Sequence, residues 1–496
     1  MGRSRFEIAP RPNHRDSGVT ARLCYNTLTT LGSATPQGPA TKGGAMGNAD
    51  AVASGVGERG GVGGERVPDP AAASAKWVRW YVVTILALVY AVNIADRYVV
   101  STVLESIRLD LHLTDAGVAF LTGVSLALFY LIVSIPVSSL ADRSNRRNII
   151  AGAIVLWSAM TLCCGLARTF WQMLFARIGV GIGEAGASPI SSSLLADWFR
   201  PRERAMALSF FALGAPLGAW LGADVAGRLA DLYGWRGAFF GLGIPGVVLG
   251  LVILVTIREP RRGAMEKVAL VEGDAPIPLG TALRFIWRQR AALHLMMGGA
   301  VTALWGWGLM WWTPTYLMRT YGMTTGAAGT MLGPIHLVSG SLATILTAWI
   351  MGTRFMAEPR KVLWLMAGVV ALTTIPSFLI FYTHDLAVVR ICLWLFVPAM
   401  YFYVGPSLGL LQNVIPCRMR STATAVTYFM ANVANLVLAP QFVGFVSDMA
   451  GGKGGANAGT LRFALLILAP TGLWAAYHYW AAIRGYRADE ARALAY

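Results

Sequence analysis

From Trp77 onward the chain alternates between long apolar stretches and short polar breaks, most of them basic. Twelve stretches are long enough to cross about 30 Å of hydrocarbon at 1.5 Å per residue. Their limits are about 77–101, 116–140, 148–168, 171–196, 204–231, 235–257, 291–318, 325–352, 360–382, 385–414, 419–446 and 460–484. The longest interior break lies between the sixth and the seventh. The pattern predicts an all-α membrane protein with two six-helix bundles, 76–258 and 291–486. A cytoplasmic linker, 259–290, joins them, and a short cytoplasmic tail, 487–496, follows. Gly and Pro recur inside the stretches, which membrane bundles tolerate because neighbouring helices satisfy the freed backbone groups.

Residues 1–75 break the pattern. They are rich in Gly, Ala and charge, with no apolar periodicity, and cannot bury enough surface to order themselves. They lack the apolar core of a signal peptide and read as a disordered cytoplasmic tail. Met46 leaves open a start further along the chain.

Composition sharpens the class. Only 13% of the residues are charged, about half the share of an ordinary soluble domain, which excludes a large soluble enzyme. The net charge of +16 would suit nucleic-acid binding if it formed a continuous patch, but it sits in clusters between the apolar runs. Loops on the side of the first helix's start, with the flanking tails, hold 23 Lys and Arg; the opposite loops hold six. The positive-inside rule then places both termini in the cytoplasm. The five cysteines form no CxxC pair and imply neither a disulfide framework nor a zinc site.

The first basic loop reads Ser138-Ser139-Leu140-Ala141-Asp142-Arg143-Ser144-Asn145-Arg146-Arg147. Small residues at a helix end permit close approach, and an acid followed by bases suits a charge network at an inner gate. The segment resembles the signature loop of the major facilitator superfamily, with Ser138 and Asn145 in place of two glycines. Asn93-Ile94-Ala95-Asp96-Arg97-Tyr98 in the first helix resembles the N-x-x-D-R motif of the spinster-like branch. Arg177-Ile178-Gly179-Val180-Gly181-Ile182-Gly183-Glu184-Ala185 resembles that branch's R-x-x-x-G-x-G-E-A. Leu195-Ala196-Asp197-Trp198-Phe199, Tyr233-Gly234-Trp235-Arg236 and Arg258-Glu259-Pro260 continue in the same order. The similarity is dense over 77–262 and rests mainly on layout over 291–484, where the counterpart loop 352–361 lacks a D-R pair.

The residues themselves locate a site. An ionisable group at membrane depth costs at least about 2.5–3.5 kcal/mol, so it is rarely idle. Helix arithmetic puts Asp96 and Arg177 at one depth, roughly 10 Å from the midplane, and Glu184 near the centre. The expectation is an Asp96–Arg177 pair above a midplane Glu184, serving as proton relay and headgroup site. The glycines at 179, 181 and 183 lie inside a helix and are read as close-packing positions. Asp224 and Arg228 stand at i,i+4, the spacing of a local salt bridge. His336 reads as a packing residue or a titrating group.

The family resemblance implies function for the residues matching Asp96, Arg97 and Glu184. Asp96 and Glu184 are expected to couple protons. Arg97, Arg177 and Tyr98 are expected to bind substrate, with Trp305, Trp311, Tyr401 and Tyr428 walling an apolar tail. Asp142, Arg143, Arg146 and Asp197 are expected at the inner gate. The implied activity is secondary transport by alternating access, without an enzymatic step, moving an amphiphile such as a lysophospholipid or a sphingoid phosphate. A symporter of small organic anions or sugars and a drug/proton antiporter are the alternatives. No cofactor, metal or nucleic acid is expected. The partners are the substrate, protons and a bilayer of bacterial inner-membrane type, and the expected state is a monomer.

Overall fold

The computed structural model describes residues 76–260 and 278–496, except 186, 200, 352, 354–357, 417–418, 453–454 and 456. The tail 1–75 and most of the linker lie outside the described residues.

The described part is helical, with no strand among its residues. In hydrocarbon a chain must satisfy its own backbone groups, and a helix does so within one segment. Helices run along the expected crossings: α1 Lys76–Thr102, α2 115–143, α3 Arg146–Leu166, α4 Phe170–Glu184 with Ala187–Trp198, α5 201–233 and α6 235–256 in the first half. The second half contributes α7 Arg290–Tyr321, α8 Thr325–Met351, α9 Pro359–Tyr382, α10 Leu386–Asn413, α11 Thr422–Gly451 and α12 Ala458–Ala495. By length and hydropathy alone eight spans stand out among the described residues, and one of them, Met206–Thr256, contains both α5 and α6. Gly234, at φ +73°, turns the chain between those two. That is left-handed backbone which glycine adopts without a Cβ clash.

Short polar breaks supply the caps. Thr114, Asn145, Thr169, Thr324 and Asp385 each accept a hydrogen bond from a first-turn backbone N–H, and Asn457 forms a capping box with Thr460. These side chains satisfy donors that a helix start leaves open. The linker contains an amphipathic helix, Leu279–Arg288, which buries Ala282 and Ile286 and exposes Leu279 and Trp287.

Among the described residues, four helices contain a π-helical stretch: Phe120–Val124 in α2, Leu221–Val225 in α5, His336–Gly340 in α8 and Val433–Leu438 in α11. All four lie where the halves meet: the α2 stretch packs on that of α11, the α5 stretch on α8, and the α8 stretch on α5. A π turn inserts one residue into the helical register and re-aims the side chains around it.

The polar contacts joining the halves gather at the end where α1 finishes, the far end. Arg319 of α7 reaches Glu105 at 2.5 Å and Asp115 at 2.7 Å. Ser447 of α11 donates to Asp115 at 2.8 Å, and Asp448 accepts from the Asp115 and Ala116 N–H groups. Thr324 donates to Asp231 and Thr330 to Asp224. Networks at the near end, where α1 begins, close within one half. Arg146 bridges Asp197 at 2.6 Å and Glu259 at 2.8 Å in the first. Gln289 and Asp489 tie α7 to α12 in the second.

Candidate substrate and proton site

Asp96, Arg97 and Tyr98 follow one another on α1, so their side chains leave the helix about 100° apart. They serve three different neighbours. Arg97 donates from Nε and Nη2 to Glu184 Oε2 at 3.0 and 2.9 Å. The Glu184 side chain is fully enclosed, and Arg97 keeps 17% of its side chain exposed. Tyr98 turns to the second half, with its ring edge-on to His336 at 4.9 Å.

Asp96 turns into the packing of α1 against α3 and α4. It is 1% exposed, and neither carboxylate oxygen has a hydrogen-bond partner. Around it stand Trp157, Thr161, Arg177 and Glu184. The indole Nε1 of Trp157 and the Nε of Arg177 are likewise buried without a partner. Thr161 gives its proton to the Trp157 carbonyl at 3.0 Å. The pocket therefore holds more polar capacity than it uses, which is costly in a low-dielectric interior.

The expected Asp96–Arg177 pair is not formed. Arg177 directs Nη2 to the Thr122 carbonyl at 3.5 Å, and Arg97 takes the glutamate instead. The reason is the slope of side chains toward the start of their own helix. α1 and α4 run in opposite directions, so Arg97 and Glu184 slope toward each other along the bundle axis. Counting Cα depths alone missed this. Close approach of α4 to α3 does follow from its glycines: a Cβ at Gly183 would fall 2.7 Å from the Trp157 Cβ.

The aromatic expectations divide. Tyr401 lies at the centre, its hydroxyl 3.1 Å from His336 Nδ1. Tyr428 on α11 is 48% exposed. Trp305 needs correction, because it is wholly buried inside the second half. Its Nε1 donates to Ser377 at 3.0 Å and its ring packs on Phe396. Trp311 sits at the far end, where its carbonyl accepts from Ser101. Trp307, two positions from Trp305, is the tryptophan that meets Tyr98. Two residues is about 200° of helix, so the pair faces opposite ways. A helical wheel weighted toward α1 would have found it.

At the near end Arg146 and Asp197 do pair, and Glu259 and Ser193 complete the cluster. The side chains of Asp142 and Arg143 lie outside the described residues. The Asp224–Arg228 bridge forms at 2.7 Å. A recess of about 520 Å³ is lined by Leu229, Tyr233, Arg236 and Ile244, none of them a residue of the expected site.

The sequence matches the family model described as Major Facilitator Superfamily over residues 86–439. The "MFS-type efflux pump" of Mycolicibacterium smegmatis is 30% identical over 414 residues, 83% of this chain and 94% of that protein. Protein spinster homolog 1 of Xenopus tropicalis is 27% identical over 418 residues, 79% of this chain and 78% of that one. A crystal structure of a bacterial homolog to the human lysosomal transporter spinster, inward-facing and occupied, superposes with a TM-score of 0.73. It is 27% identical and covers 84% of this chain and 99% of its own.

Proposed function

The chain belongs to the major facilitator superfamily, in its spinster-like branch, and from that premise we propose that it is a proton-coupled carrier of an amphiphile. It is a multi-pass membrane transporter rather than an enzyme. The proposed substrate is an anionic or zwitterionic lipid of lysophospholipid or sphingoid-phosphate type, moved by alternating access between the halves.

One observation carries the reading: the Arg97–Glu184 pair stands beside a buried Asp96 carboxyl that forms no ion pair, with the Trp157 indole and the Thr161 hydroxyl near it. A proton on Glu184 removes the charge that holds Arg97. The guanidinium, already partly exposed, then turns to a phosphate or carboxylate, which it binds with two parallel hydrogen bonds. The Glu184 carboxylate and the substrate's anion thus compete for one arginine, and a proton on Glu184 decides between them, which is what coupling requires. Asp96, buried beside the pair with Arg177 near it, takes the second proton-coupling position.

The charge asymmetry of the loops puts the near end in the cytoplasm. A protein locked at its far end by Arg319 is then facing inward. Arg146, Asp197 and Glu259 form the half of the inner gate that the first bundle supplies.

The test is lysophospholipid uptake into proteoliposomes with and without an imposed pH gradient, comparing the native protein with Glu184→Gln. Gradient-stimulated uptake lost in the variant supports the reading. Uptake indifferent to the gradient removes the coupling. The name of the mycobacterial relative favours a second reading, export of a drug against protons. Proton flux evoked by drugs and not by lipids would establish that one.

A further inference from the structure

Tyr98, Trp307, Tyr401 and His336 close a ring of contacts at the centre of the bundle. Tyr98 meets Trp307 at 6.0 Å between centroids and 72° between planes. Trp307 meets Tyr401 at 5.9 Å and 68°. Tyr401 meets His336 at 6.2 Å and 73°, and His336 returns to Tyr98 at 4.9 Å and 74°. Four rings, each nearly perpendicular to the next, are the walls of a box. A core would satisfy such rings with scattered partners, and a closed circuit of four is not required for packing.

We propose that this box is a binding site for an organic ammonium group. Ring faces carry negative charge and attract a cation within about 6 Å of their centroids. A cation seated on the open surfaces of Tyr98, Trp307 and Tyr401, whose neighbouring centroids stand 6.0 and 5.9 Å apart, meets ring faces inside that reach. His336 Nδ1 is engaged with the Tyr401 hydroxyl at 3.1 Å, which fixes the orientation of both rings. The Tyr98 hydroxyl lies beside that of Tyr401, and His336 Nε2 is buried without a hydrogen-bond partner, a polar atom left over in the cluster. His336 is wholly buried, whereas Tyr98, Trp307 and Tyr401 keep part of their surface open. Tyr98 comes from the first half and the other three from the second, so a bound cation ties the halves together.

The inference rests on the function proposed above and narrows its substrate. Arg97, next to Tyr98 on α1, is the anion contact of that reading. An anion site and an ammonium site on adjacent residues fit a zwitterionic headgroup, with phosphate at Arg97 and ammonium in the box. A sugar or a simple carboxylate leaves the box unused.

The experiment measures binding of radiolabelled tetramethylammonium to the purified full-length protein in phosphatidylglycerol nanodiscs, with empty discs subtracted. Methylammonium, tert-butanol and sodium serve as competitors. Saturable binding displaced by methylammonium and not by tert-butanol or sodium is expected. Trp307→Leu should weaken it about tenfold, and Tyr401→Phe, which keeps the ring, should hold it within about threefold. Because Trp307→Leu can disturb folding, Trp307→Phe is measured beside it and should stay within about threefold. Binding unchanged in a folded Trp307→Leu protein, displacement by tert-butanol, or a tenfold loss in both Phe variants would overturn the proposal. No proton gradient enters this measurement, so failure of the coupling reading and failure of the box are separately visible.

Discussion

Arg97 and Glu184 meet at 2.9 Å, from helices that run in opposite directions, with the acid fully enclosed and the base partly open. A pair so placed is asymmetric in consequence. Losing the acid frees a cation that reaches the space between the halves, while losing the base strands a carboxylate in the interior.

Glu184→Gln should therefore leave the fold intact and detach transport from the proton gradient. Exchange of substrate across equal concentrations should persist, because Arg97 remains available. Gradient-driven uptake at the native rate in this variant would end the coupling role. Arg97→Ala is the contrasting case. It leaves a buried acid unpaired, a change that costs roughly 3–5 kcal/mol. Thermal unfolding in detergent should register that loss.

Asp96 behaves differently because it has no pair to lose. Its carboxyl is 1% exposed, with Trp157, Thr161 and Arg177 near it but no ion pair formed, so Asp96→Asn removes a charge that the interior compensates only in part. The variant should melt at or above the native temperature and still lose gradient-driven transport. A clear drop in melting temperature would mean that Asp96 is held by an interaction its geometry does not display.

The far-end lock predicts a conformational variant. Arg319 is 7% exposed and answers to Glu105 and Asp115, both from the first half. Arg319→Ala should open the far end and raise the reactivity of a Ser101→Cys probe toward a membrane-impermeant thiol reagent by several-fold. An unreactive probe in that background would show that apolar packing alone closes this end.

The same lock has a pH dependence with a definite sign. Burial pulls the Glu105 carboxyl upward, but hydrogen bonds from Arg108 and Arg319 outweigh it and hold the group below its usual range. A depressed value means stabilisation that is present above the ordinary carboxylate value and lost as pH falls through the folded one. Ser101→Cys reactivity, divided by that of a free thiol at the same pH to remove the changing thiolate fraction, should stay flat from pH 8 down to about 5 and rise below about 4.5. A rise centred near neutral pH would assign the lock to another group.

Trp305 separates packing from binding. Its Nε1–Ser377 hydrogen bond and its contact with Phe396 lie inside the second half. Trp305→Phe should lower the melting temperature by a few degrees, since about 1 kcal/mol is lost and Ser377 loses its donor. Substrate affinity in the folded variant should not move. A several-fold change in affinity with unaltered melting would return Trp305 to the site.

Much of this was readable along the chain. Crossing segments announce themselves because a bilayer demands about 20 apolar residues in a row whatever surrounds them. Caps are local as well: Asn145 and Thr324 reach backbone N–H groups three residues away, so their role needs no tertiary contact. The charged pair at 96–97 and the acid at 184 stood out for the same kind of reason, since hydrocarbon excludes them unless they work.

Choice of partner was not local. Which of Asp96 and Arg97 meets Glu184 depends on helix rotation, on the opposed slopes of side chains in antiparallel helices, and on glycines that draw α4 against Trp157. The outer lock joins residues more than 200 positions apart, and the ring at Tyr98 takes walls from α1, α7, α8 and α10. His336 stands inside a π turn, which shifts the register that a sequence wheel assumes. Sequence by itself determined the crossings, their caps and the residues too polar to be idle, because each follows from a segment's own encounter with lipid or water. The tertiary structure alone decided the pairings, because these depend on helix rotation and close approach, which packing against distant segments sets.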